Sequence, residues 1–194
     1  MPNKLVWDEA GKRFFESGVS RGILFVQDSD GSYGEGVAWN GLTAVNHSPE
    51  GGELTDFWAD NIKYASIRSA EQFKGSIEAY TYPDEFAECD GSKEAMNGET
   101  GVPGMYYGQQ TRKRFGFAYR SSIGSDTLDP SDSNAPYKLH IIYNASVNPS
   151  ERAYSTINDS PDASTLSWDF DTTGVIVEGF KPVAHIESDS RKFT

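Results

Sequence analysis

His47, His140 and His185 are the only side chains of this sequence that ordinarily change charge near neutral pH, and they stand 93 and 45 residues apart. No HExxH pair and no short histidine spacing accompanies them, so by spacing they present neither a catalytic histidine pair nor a metal set. Cys89 is the only cysteine, which excludes an internal disulfide and any cysteine-based zinc site. Asp28-Ser-Asp30-Gly31, followed by Glu35, has the composition of a calcium loop. An EF-hand needs glycine at its sixth position and glutamate at its twelfth; neither register fits, and Asp30-Gly31 reads as a hairpin turn. The glycines at 31, 34 and 36 make no GxGxxG motif, and no Walker lysine follows them. Carboxylates are paired in two places, Asp84, Glu85, Glu88 and Asp90 in one and Asp169 and Asp171 in the other. Glycoside hydrolysis would use two of them about 5–9.5 Å apart in a cleft. A carbohydrate-binding or carbohydrate-active β-sandwich module, with aromatic sugar platforms, is therefore the alternative reading. The residues themselves point to no reaction: no catalytic, cofactor-binding or metal-ligating residue is expected, and the chain reads as a non-enzyme.

The elements are mainly strands. Leu166, Trp168 and Phe170 alternate with Ser167, Asp169 and Asp171, and Phe115, Phe117 and Tyr119 form a similar face opposite Arg120. Period two of this kind marks a half-buried antiparallel strand. In Tyr137–Val147 the alternation assigns Tyr137, Leu139, Ile141, Tyr143 and Val147 to the core face and Lys138, His140, Asn144 and Ser146 to the polar face. Further strands are expected at Arg21–Gln27, Gly36–Val45, Asn61–Ile67, Ser76–Tyr82 and Val175–Lys181. Pro83, the acidic pair Asp84 and Glu85, and Gly91 punctuate one short α-helix over Pro83–Asp90, with Phe86 and a buried, inert Cys89 on its inner side. Residues 47–60 and 91–108 read as long loops, and 124–136 as a third. A mainly β fold follows, a β-sandwich or barrel with one flanking helix, in one domain spanning residues 1–194 and ending in a C-terminal arm, 184–194.

Ten tyrosines, eleven phenylalanines and four tryptophans supply a core although only 37% of the 194 residues are hydrophobic. The formal net charge is −12, with about nine of those charges in residues 1–97. Such a surface repels phosphate backbones, so tight nucleic-acid binding is not expected. No secretory signal and no membrane-spanning run is visible, so synthesis and folding in the cytosol are expected and the sequons at Asn46, Asn144 and Asn158 read as chance matches. Against this background Arg112, Lys113, Arg114 and Arg120 form a basic cluster. It suits salt bridges to an acidic neighbouring subunit, or else an ordinary solvated face.

Four stretches carry a resemblance: YGEGVAWNGLTAVNHSPEGGELTDFWADNIKYASIRS from Tyr33, SAEQFKGSIEAYTYPDEFAECDGS from Ser69, QQTRKRFGFAYRSSIGSD from Gln109 and ERAYSTINDSPDASTLSWDF from Glu151. Taken in order, they resemble the tail tube (major tail) proteins of long-tailed bacteriophages over about Tyr33 to His185. The resemblance implies a β-sandwich with a flanking helix. It also implies homo-hexameric rings stacked into a hollow tube around a tape-measure protein and closed by tail-end completion proteins. DNA would pass through without specific binding, and the protein would be assembled in the bacterial host cytoplasm and reside in the virion tail.

Residue by residue, PDEFAECDG matches the family's helix, IEAYTY and FGFAYR match strands, and residues 47–60 match the loop that reaches a neighbouring subunit or ring. Glu53, Asp56, Phe57, Trp58, Arg112 and Arg114 are then the candidate intersubunit contacts, with Phe57 and Trp58 as aromatic anchors. Asp169 and Asp171, with Glu78 as a third, are the candidate lumen-facing acids, since they alternate with core residues and a carboxylate wall keeps phosphate moving. The competing reading is that these acids solubilise the outer surface.

Overall fold

The computed structural model describes residues 7–95, 101–154, 156–157 and 163–193. The Asn158 sequon and residues 96–100 of the expected 91–108 loop lie outside them. The fold is mainly β, 50% strand and 5% helical, with no closed barrel. In chain order the strands are β1 (Phe14–Val26), β2 (Val37–Trp39), β3 (Leu42–His47), β4 (Glu50–Gly51), β5 (Leu54–Ala59), β6 (Ile62–Arg68), β7 (Glu71–Gln72) and β8 (Lys74–Ala79). After them come β9 (Lys93–Glu94), β10 (Tyr106–Tyr107), β11 (Phe115–Ser125), β12 (Tyr137–Val147), β13 (Leu166–Thr172) and β14 (His185–Asp189). One antiparallel sheet of eight strands runs β2-β1-β11-β12-β13-β8-β3, and β14 also pairs with β12.

The core forms where this sheet folds over itself. The short link between β2 and β3 joins its two ends, and side chains from opposite walls meet: Trp39 stands 5.4 Å from Phe117 and 5.7 Å from Trp168, ring centre to ring centre. Leu24, Ile77, Phe115, Phe117, Ile142, Ala145, Val147, Trp168 and Phe170 belong to the same buried cluster. Two of the expected faces, Phe115–Tyr119 and Leu166–Phe170, therefore point inward as their alternation requires.

The third does not. On β12 the fully buried residues are His140, Ile142, Ala145 and Val147, while Leu139, Ile141 and Tyr143 are only partly covered. The reason is a bulge. Phe115 and Phe117 of β11 oppose Ala145 and Ile142, so three steps on β12 answer two on β11, and Asn144 takes a left-handed φ of 51° to accommodate the extra residue. Parity switches there, which puts His140 on the inner face and corrects its assignment to the polar one.

Phe86 fills the interior from the Pro83 segment, 4.5 Å from Trp39 and 5.2 Å from Trp168. That segment is a 3-10 helix over Asp84–Glu88 rather than two turns of α-helix. Pro83 sits in the capping position with extended backbone, no side chain caps the free N–H groups, and the first hydrogen bond closes from Phe86 N–H to Pro83 O. Phe86 and Cys89 are buried, and Gly91 leaves the turn with φ of 82°. Burial pushes the Cys89 thiol up to about 12, so it is an inert apolar residue.

Two further expectations are corrected, and a third gains detail. Val175–Lys181 forms no strand and contributes one isolated bridge, Val175 to Val183. The 184–194 arm instead contains β14, paired with β12 from Lys138 to Ile142, and a short 3-10 turn capped by Asp189. Residues 47–60 are not a loop but include β4 and β5, the first half of a long ribbon.

Candidate functional site

β3 and β8 pair within the main sheet; beyond it the same two chain segments continue as β4 with β7 and then β5 with β6, each a separate two-stranded sheet. Backbone bonds from Ser48 N–H to Lys74 O and from Ser69 N–H to Glu53 O knit the intervals. Residues 48–73 thus form an arm that turns at Asp60-Asn61, both with left-handed φ (51° and 62°) as a two-residue primed hairpin turn demands. At about 3.3 Å per residue the 13 steps from His47 to Asp60 reach at most about 43 Å.

The arm carries an apolar face that none of the described residues covers. Residues directly opposite share a face, so Phe57 with Ala65 and Ala59 with Ile62 line one side, together with Thr55 and Ile67. Phe57, Ile62 and Ile67 are 48%, 62% and 60% exposed. The other side is mixed: Asp56 accepts a bond from Ser66 Oγ (2.6 Å) and pairs with Lys63 (2.8 Å), beside an exposed Trp58. Of the expected contact residues, Asp56, Phe57 and Trp58 lie on this arm and Glu53 at its base, where its N–H donates to Ser69 Oγ. A bare two-stranded ribbon is marginal in water, and an exposed apolar stripe of this kind marks an interaction surface.

Arg112 and Arg114 lie elsewhere, on the approach to β11. Arg114 Nη1 donates to Asn144 O (3.0 Å), Asn144 Oδ1 (3.2 Å) and Thr173 Oγ1 (3.1 Å), so it braces the β12 bulge within its own chain. Arg112 packs over Gly91, and Lys113 pairs with Glu88. Glu78, Asp169 and Asp171 share the outer face of β8 and β13, since Ser167 opposes Glu78, Ser76 opposes Asp169 and Lys74 opposes Asp171. They are not equally free. Asp171 is bound by Asn148 (2.8 Å) and Lys74 (3.1 Å), which hold its carboxyl below the usual carboxylate range. Asn46 Nδ2 donates to Glu78 (3.1 Å), and Asp169 is exposed.

The structure also gathers what the sequence scatters. His47 ends β3, His140 lies inside β12, and His185 opens β14; one ring nitrogen from each lies within 4.8 Å of the others. The rings of His140 and His185 stack at 5.5 Å and 7°, Phe73 stacks on His185 at 4.8 Å, and Tyr119 stacks on His140 at 4.6 Å. Tyr119 Oη lies 2.7 Å from His47 Nε2, Ser121 Oγ lies 3.0 Å from His140 Nε2, and His140 Nδ1 lies 3.3 Å from His185 Nε2. Burial pushes all three imidazoles down, His185 to about 4, so they are neutral at pH 7.

A separate groove is lined by Tyr33, Tyr143, Val175, Val177, Val183 and Ile186, with Gln27, Gly31 and Asn144 and no carboxylate, so it offers no acid pair for glycoside hydrolysis. Among the described residues no helix is long and apolar enough to cross a membrane. Neither a scan against protein-family models nor a search of curated proteins finds a match to this chain.

Proposed function

We propose that this chain is a structural subunit that self-associates through its β5–β6 arm, and that the assembly is a tail tube of the kind its sequence resembles: homo-hexameric rings stacked around a tape-measure protein in a virion tail. The carrying observation is the arm itself. A ribbon with an apolar stripe about 60% exposed at both isoleucines has no partner within its own described chain, and a second copy of the same chain supplies a matching apolar surface at the same concentration. The mainly β fold suits the reading, and so does a charge of −12, which keeps DNA from sticking to a channel wall. Asp169 and Glu78 are the acids best placed for that wall, because Asp171 is engaged by Asn148 and by a Lys74 that it shares with Glu50.

Electron microscopy of the purified chain over a range of concentrations tests it. Rings or hollow filaments are expected; a protein that stays monomeric at every concentration and in high salt would overturn the reading.

A further inference from the structure

We propose that His47, His140 and His185 form a binding site for a divalent ion of the zinc class at the root of the arm. Three observations carry it, and none depends on whether the chain polymerises.

The first is the donor set. Three imidazoles and no thiolate suit zinc and its neighbours in the first transition row, whereas calcium and magnesium want oxygen cages. The second is spacing. A tetrahedral ion with bonds of about 2.0–2.1 Å holds its ligand nitrogens about 3.3 Å apart, and His140 Nδ1 and His185 Nε2 stand at 3.3 Å. His47, the exposed member, lies within 4.8 Å and closes the set by turning its ring. The third is the outer shell. Ser121 Oγ lies 3.0 Å from His140 Nε2 and can accept a proton carried there, which would leave the Nδ1 lone pair facing His185, the fixing of tautomer and orientation that metal-ligating histidines show. Glu187 Oε2 lies 3.8 Å from His140 Nδ1, with its other oxygen paired to Lys138 (2.7 Å), so a carboxylate oxygen stands beside the site. Three histidines leave a fourth position to solvent or to that carboxylate. An ion so held would fasten β3, where the arm leaves the sheet, to β12 and β14.

The test uses the full chain, stripped with chelator and titrated with ZnCl2 by calorimetry and with CoCl2 by visible spectroscopy. One equivalent should bind, the cobalt form should show the intense visible bands of a four-coordinate ion, and zinc should raise the melting temperature. His47→Asn and His185→Asn should each weaken zinc binding by more than about 100-fold, and Ser121→Ala by about 10–100-fold, the range for an outer-shell partner. Absence of stoichiometric binding by the wild-type chain overturns the proposal, and so does wild-type affinity in either histidine variant. Should a variant misfold by circular dichroism, the wild-type cobalt spectrum decides. Intense four-coordinate bands support the site, and the weak bands of a six-coordinate aquo ion reject it in favour of a chain of hydrogen-bonded neutral histidines.

Discussion

Replacing Phe57, Ile62 and Ile67 together by threonine separates assembly from folding. Threonine keeps the β-branched preference for strand, and these side chains are already 48%, 62% and 60% exposed, so the free subunit loses little packing. Its melting temperature should move by less than about 3 °C, an effect near 1 kcal/mol for a chain of this size. Association is another matter. Fully burying such a side chain is worth about 1.5–3 kcal/mol; scaled by the exposed fractions, the stripe offers roughly 2.5–5 kcal/mol per arm. Ordering and desolvation consume part of it, so the lower end is the fair expectation, and at 1.4 kcal/mol per decade that raises the concentration needed for assembly by about 30- to 100-fold. Sedimentation of polymer against total protein measures that threshold. An unchanged threshold refutes the role of the stripe, and a collapse of the melting temperature refutes the claim that the stripe is idle in the monomer.

Phe86→Ala removes a ring 4.5 Å from Trp39 at the centre of the core and should cost about 3–5 kcal/mol by urea denaturation; a loss below about 1 kcal/mol would show that the 3-10 segment is not anchored by it. At Gly75 an added Cβ would meet Asn46 O at 2.2 Å and Phe170 Cζ at 2.7 Å, so Gly75→Ala should force β3 and β8 apart and destabilise by more than about 2 kcal/mol, checked by the same denaturation. In chelator the wild-type chain should lose stability as pH falls. His185 titrates at about 4 folded against 6.5 as a free group, so its contribution is complete above about pH 6.5, declines between the two values, and reaches at most about 3 kcal/mol. Urea midpoints at about pH 7 and pH 4.5 should show a larger drop for wild type than for His185→Asn, and equal drops would contradict the burial argument.

Strict alternation was readable where nothing interrupts it, as at Leu166–Phe170. It misleads at Tyr137–Val147 because Ile141, Ile142 and Tyr143 are consecutively apolar, which conceals a bulge that reveals itself only in the pairing of β11 with β12. The first half of the arm reads as a loop for a local reason, while Asn61–Ile67 reads as the strand it is: Gly51-Gly52 suggest a break, and Thr55 and Asp56 dilute the strand signal in β5. Asp60-Asn61 is the clue that was available, since both residue types tolerate left-handed backbone in a two-residue turn. The histidine cluster was beyond local reading altogether. Its members are brought together by β12 pairing with β14 and by the fold of β3 against them, and no spacing rule encodes a neighbour 93 residues away.

The arm also makes the chain cleavable in a telling place. Phe57, Trp58 and Tyr64 stand exposed on a ribbon of two strands, where local opening leaves the core undisturbed and an aromatic-specific protease can engage the backbone. A cut there separates the chain near its first third, yet the two pieces stay joined, because β3 on one side and β8 on the other remain hydrogen-bonded from Leu42–Ala79 to His47–Gly75. Nicked protein would therefore travel as one body in native conditions and as two fragments in denaturant. Any surface that covers the stripe would shield the same bonds, so the rate of cleavage within the arm, told by fragment size from cuts at other exposed aromatics such as Tyr154 and Phe180, reports the arm's occupancy.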